Sequence, residues 1–201
     1  MVNYKYSFME TTRFETFIDA IIAIIITVLV LKIPQPATPT LGGVLKLNGI
    51  YIAYLISFLI LFNVWYNNHN LFQLIDTIDN TTVWIYGIMT FVVSLLPYFT
   101  IWLANNMYSI PAETMFGVNF VVMNILYLIS LKTIYRCNPY NEKIKILSEI
   151  KLKVLIPIII CLIGFVLTYT VYVPGIYVCC LIGAIIWIFI GSRLLGDVNG
   201  N

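Results

Sequence analysis

The chain has 201 residues, of which 61% are hydrophobic and only 10% charged, and its mean hydropathy is +0.94. One water-soluble core cannot hide that much apolar surface, so lipid must be the solvent. The net charge of +2, spread over scattered basic residues, is too small for nucleic-acid binding.

A spanning helix needs about 20 mostly apolar residues, and the hydropathy pattern predicts six, at 14–33, 49–69, 83–104, 114–133, 154–173 and 176–195. The chain therefore reads as one all-α integral membrane domain over 1–201, with no room for a soluble one. Upstream of the first span, Glu10 and Glu15 and the lack of a small-residue cleavage site argue against a signal peptide.

The first span opens with Arg13 and Asp19 at its mouth. An ionisable residue at membrane depth costs about 2.5–3.5 kcal/mol and seeks a partner or a watery path, whereas one at the interface only anchors the helix. Along the same helix Phe17, Ala20, Ile24, Thr27 with Val28, and Leu31 fall on one stripe, from which Asp19 points away. If copies of the stripe met around an axis, Ile24, Val28 and Leu31 would form apolar rings that gate by dewetting. Thr27 would then supply oxygen ligands to an ion. Packed against neighbouring helices instead, the same residues would be ordinary contacts, with Thr27 bonded to its own backbone.

Pro34, Pro36, Pro39 and Gly42-Gly43 break the chain after this helix. The second span ends in a polar cluster, Asn63-Val-Trp65-Tyr-Asn67-Asn68-His69-Asn70, in which Trp65 and His69 share a face. His69 is the only histidine, so no histidine-rich metal site fits within one subunit. It can pair with Asp19 or Asp76, respond to pH, or close the helix end. Residues 76–82 form a turn, and Asn80-Thr81-Thr82 is read as a chance sequon.

Pro97 should kink the third span. Asn119 and Asn124 in the fourth, and Thr168 and Thr170 in the fifth, are candidates for interhelical hydrogen bonds. Tyr135 to Lys153 reads as the one sizeable loop, either a short amphipathic helix at the inner surface or a basic segment that fixes topology. Pro174-Gly175 turns the chain into the last span. Cys137, Cys161, Cys179 and Cys180 read as free thiols, three of them in apolar segments. With only Lys32 and Lys46 placed outside, lysine and arginine bias predicts both termini on the cytoplasmic side.

No potassium-filter Thr-Val-Gly-Tyr-Gly, arginine-periodic helix, phosphate-cradling loop or zinc-protease motif is present. Nor does the spacing bring out a nucleophile and base pair, so the chain does not read as an enzyme.

The run RFETFIDAIIAIIITVLVL from Arg13 to Leu31, then WYNNHNLFQLIDTIDNTTVW from Trp65 to Trp84 and SLLPYF from Ser94 to Phe99, resembles the transmembrane protein 175 family of cation channels. The resemblance covers about the first half of the chain. It implies a six-helix subunit whose first helix lines the pore, and, for a single repeat, a homotetramer in a prokaryotic plasma membrane. By position it implies that Ile24, Val28 and Leu31 form the constriction and that Thr27 is the layer linked to selectivity. Arg13, Asp19, Trp65 and His69 would be the polar network that holds the pore helix. The expected activity is passage of potassium in preference to sodium, without cofactor or bound metal, with lipid and copies of itself as the only partners. The other reading left open is a proton pathway or proton-coupled carrier that uses Asp19 and His69. One departure stands out: Ile18 occupies the middle of the family's Phe-Ser-Asp and removes a hydroxyl from the expected network.

Overall fold

The computed structural model describes residues 10–141 and 151–199, and the side chains of these apart from 151–153 and 189–199. Helix α1 spans Thr11–Leu31. Its dense run of isoleucine, valine and threonine would suit a strand in water. In hydrocarbon, however, each backbone polar group must be bonded within the segment, and the helix does that. It stops two residues earlier than the hydropathy predicts: the Lys32 and Ile33 amides turn back to the carbonyls of Leu29 and Val30, just ahead of Pro34.

The segment read as a simple break contains a one-turn helix, α2, at Leu41–Leu45, where the Thr40 hydroxyl accepts from the Gly43 amide at 3.1 Å. Helix α3 covers Asn48–Phe72. The third predicted span is two helices, α4 at Asn80–Ser94 and α5 at Leu96–Asn105, which meet at Leu95. Pro97 lies in the first turn of α5, where its missing N–H leaves no bond unmade, so the predicted kink takes the form of a break two residues upstream. Helix α6 runs over Ile110–Cys137, with α7 at Lys151–Thr170 and α8 at Gly175–Asn199.

Among the described residues, four helical stretches have the length and composition to cross a membrane: Thr11–Leu31, Asn48–Phe72, Asn80–Asn105 through its bend, and Ile110–Cys137. Val154–Thr170 and Gly175–Ile188, the parts of α7 and α8 whose side chains are described, are apolar as well. The loop predicted to begin at Tyr135 begins at Asn138, because α6 continues through Tyr135 and Arg136 to Cys137. The amphipathic helix expected in that loop falls mostly on residues 142–150, outside the described residues.

Asn138 explains that correction. Its side-chain amide donates to the carbonyls of Ile134 and Thr77, both at 3.0 Å, and its oxygen accepts from the Asp76 and Thr77 amides at 3.2 and 3.1 Å. One buried side chain thus closes α6 and fixes the turn between α3 and α4. Beside it Asp79 caps α4, accepting from the Thr82 amide at 2.9 Å and the Thr82 hydroxyl at 2.6 Å, and lies 3.6 Å from Arg136.

The helices α7 and α8 form the closest pair, and α6 packs on both of them as well as on α4 and α5. Helix α3 holds α1, α5 and α8 together. Among the polar residues expected between helices, Asn119 donates to the Val92 carbonyl of α4 at 3.0 Å, and the Thr168 hydroxyl accepts from the Ile176 amide of α8 at 3.0 Å. Asn124 and Thr170 instead donate to their own helices, at Phe120 and Val166. Both close back on a carbonyl one turn earlier in their own helix, which uses the single hydroxyl proton of Thr170 and one of the two amide protons of Asn124.

Glu113, in the first turn of α6, is fully buried at 0% exposure. One carboxyl oxygen accepts from the Tyr177 amide in the first turn of α8 at 2.9 Å; the other, also buried, has no partner. A helix N-terminus favours a carboxylate by at most about 2 kcal/mol. Burying an unpaired charge costs several kcal/mol, so desolvation dominates at this position.

Candidate functional site

Helix α1 has two unlike faces. Phe14, Ile18, Ile22, Ile25 and Leu29 are buried against α3, α4 and α5, with Ile18 and Leu29 at 0% exposure. The Phe14 ring meets Phe72 and Tyr86 edge-on, with centroids 5.8 and 5.7 Å apart. Ile18 fills the position where a hydroxyl was expected, and it does so as a close-packed side chain. That register turns Phe17, Ala20, Ile24, Thr27, Val28 and Leu31 outward. Ile24 is 61% exposed and Leu31 80%.

The stripe read from the sequence is therefore the face that the rest of the subunit leaves uncovered. Thr27 lies in the middle of it, and its hydroxyl donates to the Ile24 carbonyl of its own helix at 2.7 Å. The hydroxyl proton is thereby engaged, and the oxygen lone pairs face outward.

On the buried side, α1 meets the end of α3 through polar groups. The carboxylate of Glu15 lies 3.0 Å from His69 Nδ1. Gln73 Nε2 lies 2.9 Å from His69 Nε2. An amide nitrogen only donates, so Nε2 accepts and the ring proton is on Nδ1, where Glu15 receives it. The ring also stacks on Trp65, with a centroid separation of 5.5 Å and an interplanar angle of 12°. Asp19, one turn along from Glu15, lies beside Trp65 and His69 with its buried Oδ1 unpartnered.

Of the four residues expected in this network, the structure brings Asp19, Trp65 and His69 together and leaves Arg13 out. Arg13 is two positions from Glu15, roughly 200° around the helix. Its side chain is solvent-facing, 4.0 Å from Glu10. Glu15 and Gln73 take part instead. Both were legible in spacing, since Glu15 precedes Asp19 by four residues and Gln73 follows His69 by four. The pairings of His69 with Asp19 or Asp76 are corrected accordingly: its direct acidic partner is Glu15, and Asp76 lies in the turn held by Asn138.

Among the described residues, Glu15, Asp19 and His69 are also the one grouping with ligand atoms within 4.8 Å of one another, as a metal ion would need. Both ring nitrogens of His69 already have partners, so the imidazole offers no free lone pair to a metal.

Comparison with known proteins places the chain beside potassium channels. Residues 13–97 match the family described as the endosomal/lysosomal potassium channel TMEM175. A potassium channel of Chryseobacterium sp. (strain P1-3) is 28% identical over 195 residues, covering 96% of this chain and all of that protein. A potassium channel of Chamaesiphon minutus is 36% identical over 102 residues, and one of Streptomyces collinus 33% over 100, covering about half of this chain and of each relative. In three dimensions the chain resembles the crystal structure of a lysosomal potassium-selective channel TMEM175 homolog from Chamaesiphon minutus, with a TM-score of 0.76 at 23% identity. That likeness covers 89% of this chain and 96% of the other. The chain thus resembles the TMEM175 family over residues 13–97 and shares the helical fold of the solved Chamaesiphon minutus homolog.

Proposed function

We propose that this relative of the TMEM175 channels is a homotetrameric cation channel that passes potassium in preference to sodium, with four copies of α1 around the pore. The observation that carries the proposal is the bare apolar stripe on α1: the helix is fixed on its Ile18–Leu29 side and uncovered at Ile24, Val28 and Leu31. A face of this kind can meet lipid, but one that also carries Thr27 suits a water-filled axis better.

In this reading Ile24 is the narrowest ring, closed by dewetting and opened when the helices part. An apolar ring obstructs each hydrated ion, so discrimination rests on the ease of shedding water next to the Thr27 oxygens, and potassium loses its water more readily than sodium. Arg13 remains a proposed interface anchor at the mouth of α1, and Asp19, Trp65 and His69 hold the helix in register. All six apolar stretches cross the plasma membrane of a prokaryote with both termini cytoplasmic, and the channel needs no cofactor.

The grouping of Asp19 with His69 and Glu15 favours one second reading, a proton pathway along the polar face of α1. Flux from proteoliposomes separates the two. In the channel reading potassium efflux exceeds sodium efflux, and Ile24→Asn raises it. Proton movement independent of potassium, steep in pH between about 5 and 7 and abolished by His69→Ala, would replace the channel with the proton pathway.

A further inference from the structure

The buried carboxyl of Glu113 belongs to α6, which is not among the helices that chiefly hold α1, and nothing in the proposed pore uses it. It lies where α6 packs on the α7–α8 hairpin. Its surroundings are built to a close fit: a Cβ on Gly117, one turn along α6, would come within 2.5 Å of Ile176 and 2.9 Å of the Phe165 ring. The N-terminus of α8 is held in this joint by side chains from two other helices. Thr168 of α7 accepts from the Ile176 amide and Glu113 of α6 from the Tyr177 amide.

A carboxylate in such a place needs a cation or several donors, and Glu113 has one donor. Among the described residues no lysine, arginine or histidine pairs with it. The titratable groups that face it are Tyr177 and Cys180 of α8, and Cys180 lies 3.7 Å from Cys161 of α7. Helices α4 and α5, which also pack on α6, carry no charged side chain; Tyr86 of α4 is bonded to Asn68, and Tyr98 of α5 is exposed. An unpaired neutral O–H is tolerated in such a setting far better than an unpaired charged oxygen.

We propose that Glu113 is a proton-binding site, and that the joint between α6 and the α7–α8 hairpin is built around its neutral carboxylic acid. The acid keeps one oxygen as acceptor for the Tyr177 amide and carries the proton on the other. Loss of that proton to water leaves an uncompensated charge in the joint, which relieves it by opening and admitting solvent at the start of α8. The site thereby links proton binding to the packing of the α7–α8 hairpin.

Infrared difference spectroscopy of the full chain in lipid nanodiscs tests this, comparing wild type with Glu113→Gln. Glutamine keeps the size of the acid, its neutrality and an acceptor for the Tyr177 amide. The expected result is a protonated-carboxyl C=O band at pH 7 in the wild type that is missing from the variant and disappears on alkalinisation. Amide exchange at residues 176–178 should then accelerate in the wild type beyond its rate in Glu113→Gln, which corrects for base catalysis. Either of two results overturns the proposal: no such band at pH 7, or a Glu113→Gln protein that fails to fold. A band present without excess exchange at high pH would overturn the link to packing.

Discussion

Glu15 and His69, 54 positions apart in sequence, meet at 3.0 Å and tie the outer turn of α1 to the end of α3. The contact is half-shielded by the Trp65 ring stacked on the imidazole. Glu15→Ala should leave the Nδ1 proton without its acceptor and cost about 1 kcal/mol, the low end of the range for a lost partner because water still reaches the pair. Thermal unfolding in detergent measures this. Glu15→Gln, which retains an acceptor oxygen, should recover most of the loss; equal loss in both variants would mean that the charge matters more than the hydrogen bond.

Thr27→Val keeps the shape of the side chain and removes its oxygen from the uncovered face of α1. The proposed channel should still conduct, with its preference for potassium over sodium reduced several-fold, since about 1.4 kcal/mol corresponds to a tenfold change in rate. Reversal potentials in bi-ionic solutions give the ratio. An unchanged ratio would move selectivity away from this layer.

Two glycines in helices should respond oppositely to alanine. At Gly164 a Cβ would lie 2.8 Å from that of Cys179 and 2.9 and 3.0 Å from backbone atoms of Ile176 and Gly175. Backbone cannot rotate aside, so Gly164→Ala should destabilise the hairpin by about 1–3 kcal/mol. Gly87 of α4 has nothing within 4 Å of the added carbon, and Gly87→Ala should stabilise by roughly 0.5–1 kcal/mol through the unfolded chain. Parallel melting curves check both signs.

Asp79 makes a pH-dependent contribution at the cytoplasmic end in the proposed topology. Burial alone would raise its carboxyl above the ordinary 3.8, but the hydrogen bonds from Thr82 outweigh burial and hold it below that value. The folded state therefore takes up this proton less readily than the unfolded one. The contribution is fully present above the ordinary value and is lost as the pH falls through the lower folded value. Asp79→Ala should cost about 1 kcal/mol at neutral pH as a lost helix cap and flatten the acid limb of the stability curve. A variant with an unaltered acid limb would assign that limb to other carboxyls.

Much of this architecture was legible in the sequence because lipid leaves so few choices. Apolar runs marked the long helices but not the one-turn α2, Pro97 marked the break that falls at Leu95, and spacing alone placed Ile24, Thr27, Val28 and Leu31 on one face of α1 with Asp19 turned away. What escaped notice depends on partners distant in the chain. Glu15 served in the sequence only to argue against a signal peptide, and it gains its role when α3 brings His69 to it. Glu113 fell one residue outside the predicted 114–133 span, and it is buried where α6 meets the first turn of α8. Arg13 stands apart within the subunit: the family likeness puts it in the network, while two positions of helix rotation turn it away from His69 toward Glu10. Hydropathy counts how apolar a segment is, but it does not say which of its polar atoms a neighbour will seal off.

In the proposed channel, the bond from the Thr27 hydroxyl to the Ile24 carbonyl bears on the sign of the ions admitted. With its hydrogen held by the helix, the side chain offers incoming ions only negative lone-pair density. A ring of four such oxygens in the proposed pore would repel chloride and attract small cations without any ionised residue at the constriction. Charge discrimination would then come from a backbone hydrogen bond, and Thr27→Asn, which brings N–H donors to the same place, should let anions compete.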